Sequence, residues 1–176
     1  MEQRDAIALI GAAVTTKGGA WADLGAGAGV FTRALATLVG AGGTVYAVDR
    51  NAAALRELTR GPRDAGEAAI RTVVGDFTEP LELPTLDGVL MANALHYVPY
   101  GDQPTAMRRV ASLVTAGAPI VVVEYDRQAA NRWVPYPIRP AQLAEVARGA
   151  GLGPPMILAT RPSRFSGTIY SAIVRR

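Results

Sequence analysis

Short apolar runs alternate with helical stretches from residue 20 to about 150, and that alternation constrains the fold more than any other feature. Residues 20–24 (AWADL) read as a strand ending in glycines. Val30, Phe31, Ala34, Leu35 and Leu38 then fall at helical spacing, and Gly40 to Gly43 stop that helix. TVYAV at 44–48 is rich in β-branched residues and predicts a strand. A helix follows over 51–60, then strands at 70–75 and 87–93. Asp102 is placed to cap a helix running to about Val114, Pro119 opens a fifth strand (PIVVVEY), and Pro140 suits the first turn of another helix. This order predicts a parallel sheet with helices on both faces, a doubly wound α/β layer. After residue 151 the pattern changes. MILAT at 156–160 and GTIYSAIV at 167–174 are joined only by RPSRFSG, so they must pair antiparallel. Residues 2–15 read as one amphipathic helix.

At 176 residues the chain is long enough for a single domain, and 49% hydrophobic against 19% charged residues suits a packed core. It has no cysteine and one histidine, His96. Disulfides, iron–sulfur clusters, thiol nucleophiles and His/Cys metal sites are thereby excluded, leaving open only an Asp/Glu site for a hard cation. The net charge of +3 comes from dispersed arginines with no basic run, which disfavours nucleic acid as a partner. No apolar run reaches the length of a membrane span. AIALIGAAV at 6–14 has the wrong flanks for a signal peptide, so the expectation is a cytoplasmic protein.

Chemistry concentrates in Asp23-Leu24-Gly25-Ala26-Gly27-Ala28-Gly29, set between a strand and a helix. Glycines there tolerate positive φ and let a ligand lie against bare backbone. In an open α/β sheet this is the ligand crevice. Asp49 ends the second strand, where a carboxylate can accept from a ribose diol or can cap the next helix. Asp76 and Phe77 follow the third strand, where a carboxylate, an N–H and a ring suit an adenine. A dinucleotide fingerprint would place its third glycine at position 30, which is Val30.

The stretches DLGAGAGVFTRALA, VYAVDRN, VVGDF, DGVLMANALHYV and AGL resemble class I S-adenosylmethionine-dependent methyltransferases, nearest to small type 11 members. That resemblance implies a Rossmann-like seven-stranded sheet, mostly parallel with an antiparallel C-terminal strand. It implies S-adenosylmethionine as cofactor, S-adenosylhomocysteine as product, and a small-molecule methyl acceptor. By position, Gly25, Ala26, Gly27 and the loop backbone would face the methionine and ribose. Asp23 would orient the ammonium, Asp49 would hold the ribose hydroxyls with Arg50 as a further cofactor-side residue, and Asp76 and Phe77 would face the adenine. Asn93 and Ala94 would face the sulfonium. The family's Asn/Asp-Pro-Pro-Tyr motif is replaced by Asn93-Ala94-Leu95-His96, which disfavours amino-methylation of nucleic-acid bases or protein glutamine.

Methyl transfer from a sulfonium needs mainly positioning and exclusion of water, with a general base only for acceptors of high pKa. His96 is the candidate base. The acceptor is expected at the edge of strands four and five, among His96, Tyr97, Tyr125, Arg127 and Trp133. Arg127 would pair with Glu124, Asp126 or an anionic substrate. Asn131, Tyr136 and Tyr170 are further candidates there. Only about twenty residues precede strand one, so residues 1–18 supply a short lid or none, and the pocket is expected to be open or completed by a homodimer partner. Two other readings are a non-catalytic S-adenosylmethionine-binding subunit or regulator, and an NAD-dependent oxidoreductase.

Overall fold

The computed structural model describes residues 1–61, 64–163 and 167–176. Seven strands form one sheet: β1 (Gly19–Leu24), β2 (Gly43–Asp49), β3 (Ala69–Val74), β4 (Gly88–Ala92), β5 (Ile120–Asp126), β6 (Met156–Pro162) and β7 (Thr168–Val174). Their order across the sheet is β3-β2-β1-β4-β5-β7-β6. The first five pair parallel. β7 runs antiparallel to both β5 and β6. This is the doubly wound, mostly parallel sheet with a C-terminal hairpin that the alternation predicts.

The helices are α1 (Gln3–Ile10), α2 (Val30–Val39), α3 (Ala52–Arg60), α4 (Gln103–Ser112) and α5 (Pro140–Gly149). Strand side chains alternate between the two faces, so the central strands feed two cores. Val89, Met91, Ile120 and Val122 pack with Met107 and Val110 of α4 and Leu143 and Val146 of α5. Leu90, Val121 and Val123 pack on the opposite face with Leu9 and Ile10 of α1 and Phe31, Leu35 and Val39 of α2. A strand buried on both sides reads as a continuous apolar run, which is why PIVVVEY shows no alternation. Ser171 on β7 donates to the Leu9 carbonyl at 2.6 Å, fastening the first helix to the hairpin.

Three boundary details differ from expectation. The N-terminal segment is not one helix over 2–15. α1 ends at Ile10 and the chain tightens into a 3₁₀ turn over Gly11–Ala13, which buries Ala13 in the core beside α1. α4 stops at Ser112 instead of Val114. β6 continues to Pro162, into what reads as the hairpin loop. The remainder of that loop, residues 164–166, lies outside the described residues.

Candidate functional site

β1 and β4 are neighbours at the sheet centre, while the chain leaves them in opposite directions. Such a reversal opens a crevice at the strands' C-terminal ends. A cavity of about 640 Å³ occupies it, lined among others by Gly25, Asp49, Arg50, Asp76, Phe77, Asn93, Ala94 and Tyr97.

The glycine loop forms one wall. The N–H groups of Gly25 and Ala26 both donate to the Val48 carbonyl, at 2.8 and 3.0 Å, which turns the chain sharply out of β1. Gly25, Gly27 and Gly29 adopt φ of +83°, +53° and +89°. A Cβ at Gly25 would lie 2.6 Å from the Ala94 Cβ, so the loops after β1 and β4 approach closely only because this residue has no side chain. At Gly27 a Cβ would meet nothing within 4 Å, because the backbone there faces open space.

Asp49 sits at the end of β2 with its carboxylate held on both sides. One oxygen accepts from the Gly27 N–H and the other from the Asn51 N–H, each at 2.8 Å. Asp49 is not the helix cap. Asn51 is, accepting from the Ala53 and Ala54 N–H groups. Asp76 accepts from the backbone and hydroxyl of Thr78 at 2.9 and 2.7 Å. Partial burial works to raise its pKa, but the Thr78 hydrogen bonds and the nearby Arg50 charge outweigh it and hold the carboxyl below the ordinary aspartate value.

Asp23 lies beneath the loop, fully buried. One oxygen accepts from Thr32 at 2.6 Å, and the other, Oδ1, has no partner. Burial raises its pKa to about 7 and the charge of Asp49 adds to the rise, against the Thr32 bond. Asn93, after β4, is the one non-glycine among the described residues at positive φ (53°), and its buried Oδ1 is likewise without a partner. Two adjacent strand ends therefore each present a desolvated oxygen, a costly arrangement unless a ligand satisfies it.

The acceptor-side residues separate into distinct groups. Tyr97 lines the cavity. His96 is buried beside it, with ring Nδ1 2.5 Å from Glu124 Oε2 and backbone N–H 3.2 Å from Glu124 Oε1. Tyr125 is half-buried 6.2 Å from the imidazole, its pKa raised by burial and by the Glu124 and Tyr97 oxygens. Arg127 pairs with neither acid. Its Nε donates to the Ala129 carbonyl, and Asp126 instead takes Arg139 at 2.9 Å, because the chain returns to β5 as α5 begins. Asn131 shapes a turn by accepting from the Trp133 and Val134 N–H groups. Trp133 is 63% exposed with the Arg132 guanidinium over its ring, so it walls no pocket. Tyr136 meets Tyr100 edge-on and donates its N–H to the His96 carbonyl. Tyr170 does not reach the site. It is buried under α5, and its hydroxyl donates to the Ile138 carbonyl.

The cavity also extends along α4, a wall the sequence reading missed. Asp102, Thr105, Ala106 and Arg109 line it. Their spacing of three, four and seven places them on one helix face, a signal present in the sequence. Asp102 makes no side-chain cap. Among the described residues, no group of three His, Cys, Asp or Glu side chains is placed to hold a metal, and no helix is long and apolar enough to cross a membrane.

Several solved structures resemble this chain in fold. An arsenic(III) S-adenosylmethionine methyltransferase from Chlamydomonas reinhardtii is 20% identical with a TM-score of 0.71, covering 90% of this chain and 63% of its own. An S-adenosylmethionine-dependent methyltransferase from Methanosarcina mazei is 16% identical with a TM-score of 0.65, covering 90% and 92%. Human N-acetylserotonin methyltransferase, solved with S-adenosylmethionine, is 17% identical with a TM-score of 0.71, covering 99% and 51%. This chain thus spans less than two thirds of the algal and human proteins. No curated protein matches it in sequence. The profile of the methyltransferase domain matches residues 22–117, from within β1 to just before β5. Because that match takes in more than half of the chain, and the sheet around it has the class I architecture of S-adenosylmethionine-dependent enzymes, this chain belongs to the methyltransferase domain family.

Proposed function

We propose that this chain is a cytoplasmic methyltransferase that takes its methyl group from S-adenosylmethionine and passes it to a small molecule, with His96 as general base. The observation that carries the cofactor reading is the pair of buried, unpartnered oxygens on Asp23 and Asn93, flanking the Gly25 cradle. An ammonium donates up to three hydrogen bonds and suits two desolvated oxygens. In this reading, the Gly25–Gly27 backbone and Ala26 lie along the methionine and ribose, and Ala94 closes the cradle at the sulfonium end. Asp49 retains lone pairs for a ribose diol after accepting Gly27 and Asn51. Arg50, Asp76 and Phe77 flank the adenine. The bound cofactor supplies a methyl on a positively charged sulfur, transferred to a nucleophile as the sulfur keeps the bonding pair.

The protein's part is to hold the acceptor, exclude water and remove a proton. Glu124 accepts from Nδ1 of His96, which leaves the Nε2 lone pair available as a base. Glu124 is fully buried and carries a second bond from the His96 backbone, so the imidazole is fixed in place.

A second reading has a specific support. α1 packs among the α2 and sheet residues of the far core, and none of its residues lines the cavity. A second subunit completing the mouth, as a homodimer or around a non-catalytic cofactor-binding chain, fits that arrangement. Calorimetric titration with S-adenosylmethionine, S-adenosylhomocysteine and NAD tests the cofactor. Tritiated methyl transfer into a cell extract separates catalyst from binder. Binding of NAD alone would overturn the proposal.

A further inference from the structure

His96 has no route to the cavity as the side chains stand. Its side chain is 2% exposed. Tyr97 belongs to both places: its ring lines the cavity and lies 4.5 Å from the imidazole, tilted by 48°. Half of the Tyr97 surface is open, at 49%. Swinging that ring outward therefore strips little packing from it, and the motion is a rotamer change on a single 3₁₀ turn, Leu95–Tyr97.

We infer that Tyr97 gates the base by standing in the acceptor's own place, and that the acceptor is a planar ring bearing a hydroxyl, a phenol or enol, which displaces it. The inference rests on the methyltransferase reading above. Its support is the chemistry of the stand-in. A phenol ring already packs against the imidazole, at 4.5 Å and a tilt of 48°, so another flat ring can take up the same face, and tilted ring pairs are favourable contacts. Glu124 beneath the imidazole bears on charge as well. An acceptor carboxylate would be brought toward another carboxylate, whereas a neutral hydroxyl meets no such repulsion. A phenolic O–H ionises near pH 10, as tyrosine does, much nearer an imidazole than an aliphatic alcohol does. The hydroxyl proton passes to His96 Nε2, and the oxygen left behind is the nucleophile.

The chain's single histidine makes the gate measurable without knowing the acceptor. Acylation by diethyl pyrocarbonate, followed by its histidine absorbance, reports on His96 alone. A gate open in about a tenth of molecules or fewer predicts slow acylation of the wild type, acceleration of about tenfold or more in Tyr97→Ala, and a near wild-type rate in Tyr97→Phe, which keeps the ring. Phenol itself is the probe of the slot. Millimolar phenol should restore protection in Tyr97→Ala, and cyclohexanol at the same concentration should not. Equal acylation rates in wild type and Tyr97→Ala would overturn the gate. Equal protection by phenol and cyclohexanol would overturn the acceptor class. Should Tyr97→Ala fail to fold by circular dichroism, Tyr97→Leu carries the same comparison with apolar bulk retained. Titration with S-adenosylhomocysteine reads the parent proposal separately: a chain that binds it while His96 ignores Tyr97 keeps the methyltransferase reading and loses this one.

Discussion

Glu124 grips His96 twice, through the ring nitrogen at 2.5 Å and the backbone N–H at 3.2 Å, from a strand end twenty-eight residues away. One buried carboxylate thereby sets both the orientation of the imidazole and the path of the chain leaving β4.

That double contact makes Glu124→Ala costly. Two donors of a buried residue lose their acceptor, at about 1–3 kcal/mol each. Glu124→Gln retains one acceptor oxygen and should lose distinctly less. Urea unfolding of the two variants provides the comparison, and equal stability would mean that the contact does not hold His96.

The two glycines of the loop should respond differently to alanine. Gly25→Ala drives a Cβ into Ala94 and should abolish binding of S-adenosylhomocysteine. Gly27→Ala meets no atoms and pays only for its positive φ, about 1–2 kcal/mol. Calorimetry on both variants decides. A Gly25→Ala variant with wild-type affinity would remove the cradle from the cofactor site.

Asp49→Ala should weaken S-adenosylhomocysteine binding by roughly 1.5–3 kcal/mol, the worth of hydrogen bonds to a charged group. It also frees the Gly27 N–H, so the loop should loosen. Unchanged affinity would refute the ribose assignment.

Asp23 predicts the pH dependence of stability. Unfolded, it ionises near 3.8; folded, it keeps its proton to about 7. Between those values the native state binds the additional proton, so stability falls as pH rises and levels off above about 7. The full penalty is on the order of 4 kcal/mol. Asp23→Asn keeps an acceptor for Thr32 and removes the titration. Urea midpoints at pH 5, 6, 7 and 8 should slope downward in the wild type and flatten in the variant.

The elements legible in the sequence were those set by local pattern. Val30, Phe31, Leu35 and Leu38 announce α2 by their spacing, and the two short runs after Gly151 announce the hairpin because no helix fits between them. Asp49 and Asp76 were legible because strand ends meet at one sheet edge. Features decided by distant partners were hidden. Nothing local pairs Asp126 with Arg139 or sends the Tyr170 hydroxyl to Ile138. Asp102 reads as a cap and does hold the N-cap position of α4, but its side chain makes no capping bond and lines the cavity instead.

The placement of β7 bears on how the protein is made. This strand inserts between β5 and β6, and its Ser171 is fastened to Leu9. Until residue 174 has left the ribosome, β5 presents a bare edge and α1 lacks its anchor. The parallel part of the sheet can collapse during synthesis but cannot close. Completion of the fold therefore waits for β7, and the β5 edge is the surface that a chaperone would have to guard in the interval.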